Sequence, residues 1–218
     1  MLSLPIRSRS PAAPLRVLAL GAHADDVEIG AGGTLLRLDQ QPLDAVVIVF
    51  SADERRAAEA RSSAAAFLPG SAVTVETHDL LDGRFPEQWN RVKEILEDCA
   101  ATWTPDVVLA PSQSDRHQDH RTLAALVPTA FRDHLVLEYE IPKWDGDLAR
   151  PTIYVPLDRD VIGRKLKLLS KHFVSQRERD WFDDEVFRGL ARLRGMECRA
   201  TYAEAFSCRK VLLSPEPG

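Results

Sequence analysis

Cysteine is scarce in this chain and never paired. Cys99, Cys198 and Cys208 lie far apart with no C-x-x-C spacing, which excludes a disulfide framework and a thiolate zinc site and predicts reduced thiols in a cytoplasmic protein. No apolar run is long enough to cross a bilayer, so no membrane span is expected. Blocks of lysine or arginine are missing and the net charge is -5, so nucleic acid is not an expected partner. Linkers, internal repeats, low-complexity tracts and a signal-peptide core are missing as well. What remains is an ordinary globular composition, 44% hydrophobic and 28% charged over 218 residues, enough for one domain with a large core. Residues 1–14, with Pro5, Pro11 and Pro14, read as a flexible N-terminal arm. Residues 15–213 read as a single domain.

The densest chemistry follows the first apolar run. Val17, Leu18, Ala19 and Leu20 do not alternate with polar residues, which predicts a strand buried on both faces. Gly21 and Ala22 let the backbone leave that strand, His23, Asp25 and Asp26 follow, and the next helix is expected over 32–41. Three ionisable groups at the carboxyl end of a buried strand are costly unless paired or coordinated. In a helical turn residues three apart share a face, so His23 and Asp26 can address one ion while Asp25 is free to address a bound water. Either aspartate could instead cap the helix, but two adjacent aspartates after a histidine exceed what a cap requires.

Further strands are expected at 45–50, 73–77, 106–110, 135–139 and 152–155, with another within 200–211. Helices are expected at 54–67, 88–102, 119–131, 160–172 and 181–193. This alternation predicts an α/β fold: a single-domain, doubly wound (Rossmann-like), mostly parallel sheet with helices on both faces. In such sheets ligands bind where the strand order reverses, and the first and fourth strands flank that crevice. The fourth strand is followed by Asp115-Arg-His-Gln-Asp-His120, so two distant clusters should meet in space. The combined inventory is His23, Asp26 and one of His117 or His120. Two imidazoles and a carboxylate with open positions suit catalytic zinc, and Fe(II) is not excluded. Alone, the second segment has a plainer reading, with Asp119 capping a helix and the histidines exposed. His78, His134 and His172, and Trp103, Trp144 and Trp181, have no such company and read as surface or structural residues.

Ala22-His-Ala-Asp-Asp-Val-Glu28 and Asp115-Arg-His-Gln-Asp-His120 resemble, in order and spacing, the two signature motifs of the LmbE-like (PIG-L) zinc-dependent de-N-acetylases. Asp82-Gly83, Arg56-Ala-Ala-Glu59 and Tyr202-Ala-Glu-Ala-Phe206 are similar to secondary motifs of that family. The resemblance implies that His23, Asp26 and His120 ligate zinc, that zinc-bound water is the nucleophile and that Asp25 is the general base. His117 would stand free to stabilise the oxyanion, while Asp119 and Glu28 support these groups from behind. One position departs: the family usually has proline between the histidine and the first aspartate, and Ala24 stands here. Proline only pre-sets the turn, so Ala24 loosens the loop without removing chemistry.

The implied reaction removes an N-acetyl or other N-acyl group from a small amino-sugar conjugate. Arg55, Arg56, Asp82 and Arg116 are candidates for gripping it, an arginine suiting phosphate or carboxylate and an aspartate suiting hydroxyls; ordinary surface charge explains each equally well. Other readings are an amidase of the same site acting on a non-sugar or thiol-conjugate amide, and an inactive metal-binding regulator, which would have no use for Asp25. A dinucleotide-binding module is invited by Gly30-Ala-Gly-Gly33. That last reading lacks G-x-G-x-x-G, and the loop carries acids where a pyrophosphate needs amides. Oligomeric state is open, a homo-oligomer included.

Overall fold

The computed structural model describes residues 1–10 and 12–213. The chain runs β1 (Leu15–His23), α1 (Asp26–Leu38), β2 (Leu43–Ser51), α2 (Glu54–Phe67), β3 (Ala72–Thr77), α3 (Trp89–Thr102), β4 (Val107–Pro111), α4 (Gln118–Ala130), β5 (Leu135–Tyr139), β6 (Ile153–Leu157), α5 (Arg159–His172), α6 (Asp184–Cys198) and β7 (Tyr202–Ser207). Short 3-10 turns occupy Phe85–Gln88 and Val174–Gln176. All strands join one sheet in the order β3-β2-β1-β4-β5-β7-β6. The five on the β3 side are parallel, and β7 runs antiparallel to both β5 and β6. The order reverses between β1 and β4, as the sequence predicts, and both strands point their carboxyl ends into that crevice.

Side-chain alternation explains the layers. Val17 and Ala19 of β1 pack with α1, α2, α5 and α6, through residues such as Leu35, Phe67, Ile162 and Phe187. Leu18, Leu20 and Ala22 face the opposite way, onto Val92 and Leu96 of α3 and Leu123 and Leu126 of α4. Both faces of the sheet are therefore dry, the condition under which parallel strands read as continuous apolar runs.

Helix α6 starts three residues later and ends five residues later than expected, and two boundaries at the crevice also differ from expectation. Strand β1 does not end at Gly21 but continues to His23, which pairs with Ser51 of β2. Helix α1 begins at Asp26, six residues before the expected start. Glycines hid this helix because they lower helix propensity by about 1 kcal/mol each. Packing requires them here: a Cβ on Gly30 would lie 2.2 Å from the Tyr139 ring, and one on Gly33 would lie 2.5 Å from Leu157. The Gly30–Gly33 segment is thus the face on which α1 presses against the sheet, and not a phosphate-binding loop. Its presence no longer supports a dinucleotide site.

The motif around Glu204 has the same task. Glu204 accepts the amides of Gly33 (2.7 Å) and Thr34 (2.6 Å), the Thr34 hydroxyl (2.6 Å) and the Lys165 ammonium (2.6 Å). Lys165 also donates to the Ile29 carbonyl at 2.6 Å. This buried pair is fully hydrogen-bonded and ties α1, α5 and β7 together behind the crevice.

Candidate metal centre and active site

His23 ends β1, Asp26 opens α1 and His120 lies in the first turn of α4, and their side chains converge. His23 Nδ1 stands 3.2 Å from His120 Nε2 and 3.6 Å from Asp26 Oδ2, and His120 Nε2 stands 3.3 Å from Asp26 Oδ2. With zinc–ligand bonds of about 2.0–2.1 Å, neighbouring corners of a tetrahedron are about 3.3 Å apart. The three donor atoms therefore already stand as one face of such a shell. Donor chemistry and spacing fit a divalent cation. A second group, His23, Asp82, His117 and Asp119, also brings ligand atoms together. It fits less well, because the Asp82 side chain is 69% exposed.

Each imidazole is held from behind by a carboxylate. His23 Nε2 faces Asp119 Oδ2 at 3.3 Å, with Asp82 Oδ1 at 3.0 Å on the outer side. Asp119 is itself fixed by the amides of Gly83 (2.6 Å) and Phe85 (3.0 Å). Gly83 has φ +74, which explains the Asp82-Gly83 pair: only glycine readily takes the backbone conformation that aims this amide at Asp119. His120 Nδ1 lies 2.8 Å from Asp115 Oδ2, and Asp115 also receives the Lys143 ammonium at 2.9 Å and the His117 amide at 2.7 Å. Such carboxylate–imidazole pairs fix the ring and raise its basicity toward a metal.

The electrostatics agree with a cation site. Burial alone would lower the His120 pKa, but Asp26 and Asp115 outweigh it and push it up to about 9. His23 is likewise raised, burial being overcome by Asp119, Asp26 and Asp82. Burial would raise Asp26, yet the two histidines hold it well below the ordinary carboxylate range. The cluster attracts positive charge.

Asp25 occupies the cap position of α1 but makes no capping bond with its side chain. It accepts Arg56 Nη2 at 2.7 Å instead. Burial raises its pKa and Arg56 opposes that rise. Arg56, expected to grip substrate, is engaged with Asp25 from α2. The cap of α4 is His117 and not Asp119: His117 Nδ1 accepts the Asp119 amide at 3.3 Å. With Nδ1 accepting, the proton of the neutral ring belongs on Nε2. Burial, with the neighbouring His120 and His23, lowers the His117 pKa and favours that neutral form. Glu28 is buried on the same helix as Asp25, and desolvation pushes it up to about 8.

The other expected residues lie farther out. The Arg55 side chain is 65% exposed and lies 3.8 Å from Glu59 of its own helix. Arg116 is exposed and joins the structure through its amide, which donates to Asp147 at 2.7 Å. Neither is brought into the donor cluster. Asp82 touches it only at His23. Sequence reasoning missed Asp115 as the partner of His120, although it stood inside the quoted motif. It also missed Lys143, which sits in a loop with no pattern to mark it.

With this geometry in hand, comparison with known proteins is decisive at the family level. The PIG-L family model, described as GlcNAc-PI de-N-acetylase, matches residues 18–131, which include both motifs. The chain belongs to the PIG-L family. An uncharacterised deacetylase of Escherichia coli (strain K12), YaiS, is 30% identical to this PIG-L chain over 170 residues, 72% of this chain and 89% of its own. A conserved protein of Thermus thermophilus superposes with TM-score 0.74 at 21% identity, covering 94% of this chain and 99% of its own. The N,N'-diacetylchitobiose deacetylase of Pyrococcus horikoshii gives TM-score 0.66 at 21% identity, covering 89% and 83%. The two structures share the fold, and family and relative together make this PIG-L member a hydrolytic N-deacetylase.

Proposed function

We propose that this PIG-L chain is a zinc-dependent deacetylase acting on an N-acetylated amino-sugar conjugate, with His23, Asp26 and His120 as the metal ligands. The observation that carries the reading is the set of three donor atoms, 3.2–3.6 Å apart, beside a carboxylate that caps nothing. Bound zinc would supply a Lewis acid and bring the pKa of a coordinated water down to roughly 7.

The chain's own groups divide the remaining work. Asp25 takes the proton of the attacking water and returns it to the departing amine, a general acid–base role worth about 10²–10⁴-fold. Arg56 holds the Asp25 carboxylate in place and opposes the rise in its pKa that burial causes. His117, neutral with its proton on Nε2, donates to the carbonyl oxygen as negative charge develops there, a contribution of about 3–4 kcal/mol for one well-placed donor. Asp119 and Asp115 fix the rings of His23 and His120. Asp82, open to solvent at the rim, is suited to accept a sugar hydroxyl.

The test is free-amine release by the zinc-loaded protein from N-acetylglucosamine, N,N'-diacetylchitobiose and an S-conjugated N-acetylcysteine. Turnover of the sugars with little or none of the thiol conjugate supports the proposal. The reverse order assigns the site to another amide.

A further inference from the structure

Two loops outside the donor cluster meet at a pair of tryptophans. The loop after β5 is anchored beside His120, because Lys143 donates to Asp115 and Asp147 (2.9 and 2.7 Å) and Asp147 accepts the Arg116 amide. The segment after α5 is anchored on the helix that carries Arg56: Glu59 accepts the Ser175 amide at 2.9 Å and its hydroxyl at 2.6 Å. The loops join where Trp144 Nε1 donates to Asp180 at 3.0 Å and the Trp144 and Trp181 rings meet edge to face, 6.3 Å between centroids. Trp181 continues through Phe182 to the buried Phe187. Trp144 is therefore fixed from two sides and rooted in the core, yet remains 68% exposed.

An immobilised, open indole spanning the anchors at Asp115 and at Glu59, on the helix that carries Arg56, is a poor use of apolar surface unless something stacks on it. We infer that Trp144, braced by Trp181, is a carbohydrate subsite that stacks the pyranose ring next to the acetamido sugar. This rests on the amino-sugar reading of the site and extends it to the neighbouring ring. The Trp144 N–H is already engaged by Asp180, so the platform offers an aromatic face and no donor. Asp145 and Asp180 are exposed beside it. A pyranose has an apolar C–H face for the indole and hydroxyls for those carboxylates. An acyl chain would desolvate them without compensation. The narrow cavity lined by Lys165, Arg194 and Glu204 has about 20 Å³, room for about one water, and takes no acyl chain either.

The experiment compares N-acetylglucosamine with N,N'-diacetylchitobiose in zinc-loaded wild type, Trp144→Ala and Trp144→Phe. The ratio of kcat/KM for the disaccharide to that for the monosaccharide should fall about tenfold in Trp144→Ala, mainly through KM, and be largely kept in Trp144→Phe. An unchanged ratio in Trp144→Ala overturns the inference. Tryptophan fluorescence titrated with cellobiose, which has no amide, gives a readout independent of turnover. A saturable change in wild type that is lost in Trp144→Ala supports the platform, and no change in wild type overturns it. If wild type releases amine from neither sugar, the amino-sugar deacetylase reading fails, and the cellobiose titration still decides the subsite.

Discussion

Arg56 Nη2 lies 2.7 Å from Asp25 Oδ1, so the residue standing at the cap of α1 is held by α2 instead of by its own helix. The pairing links the N-termini of two helices across the carboxyl ends of β1 and β2. It also sets the charge of the proposed base. Burial raises the Asp25 pKa and Arg56 is the largest influence lowering it. Replacing Arg56 with Met should move the acid limb of the kcat/KM profile to higher pH and lower the plateau by about 10–100-fold, since an unpaired, displaced base loses much of the 10²–10⁴-fold contribution of general base catalysis. A pH–rate profile reads both effects, and an unshifted acid limb would remove Arg56 from this role.

The Asp115–His120 contact at 2.8 Å predicts a loss without loss of any ligand. Asp115→Asn should weaken zinc binding by about 10–100-fold, the usual cost of removing a carboxylate partner of a metal-bound imidazole. Competition with a chromophoric chelator measures it. Affinity equal to wild type would mean that His120 is oriented by packing alone.

Much of this arrangement is legible in the sequence. The buried β1, the alternation of strands and helices, and the two histidine–aspartate clusters together place the crevice between β1 and β4, because strand order in a doubly wound sheet leaves few alternatives. The start of α1 is not legible. Its glycines depress helix propensity, and the reason they are tolerated, the Tyr139 and Leu157 side chains pressed against them, comes from residues more than 100 positions away. Lys143 is hidden as well, because its role depends on a loop returning to Asp115. Arg56 is visible as a motif residue, but its partner is not: an arginine at a helix start serves a substrate or a carboxylate equally well until the neighbouring helix is in place.

Glu28, His23 and His120 give the metal-free protein a defined pH dependence. All three have raised pKa values, Glu28 to about 8 and His120 to about 9. The folded state therefore binds more protons than the unfolded chain, and stability is fully present below the unfolded pKa values and falls as pH rises through the folded ones. For Glu28 the loss runs from about 4.5 to about 8, and for His120 from about 6.5 to about 9. Chelator-treated protein should thus lose stability steadily over that window. Glu28→Gln should flatten its lower half. Urea melts at pH 5, 7 and 9 check this, and a wild-type curve that rises with pH would contradict it.

Glu204 lies behind the site, and its loss should act on the fold and not on the metal. Glu204→Ala strands the buried Lys165 ammonium and the other donors that Glu204 accepts, which should cost about 3–5 kcal/mol. Urea unfolding measures the loss, while zinc stoichiometry of the folded fraction should remain as in wild type. A variant as stable as wild type would show that the network is dispensable.

The most direct test of the account is zinc content beside amine release from N,N'-diacetylchitobiose, in wild type and Asp25→Asn. The account predicts about one zinc per chain in both proteins, with turnover in wild type and a loss of about 10²–10⁴-fold in the variant. Wild-type protein that binds no stoichiometric metal after zinc is supplied would contradict the metal centre formed by His23, Asp26 and His120.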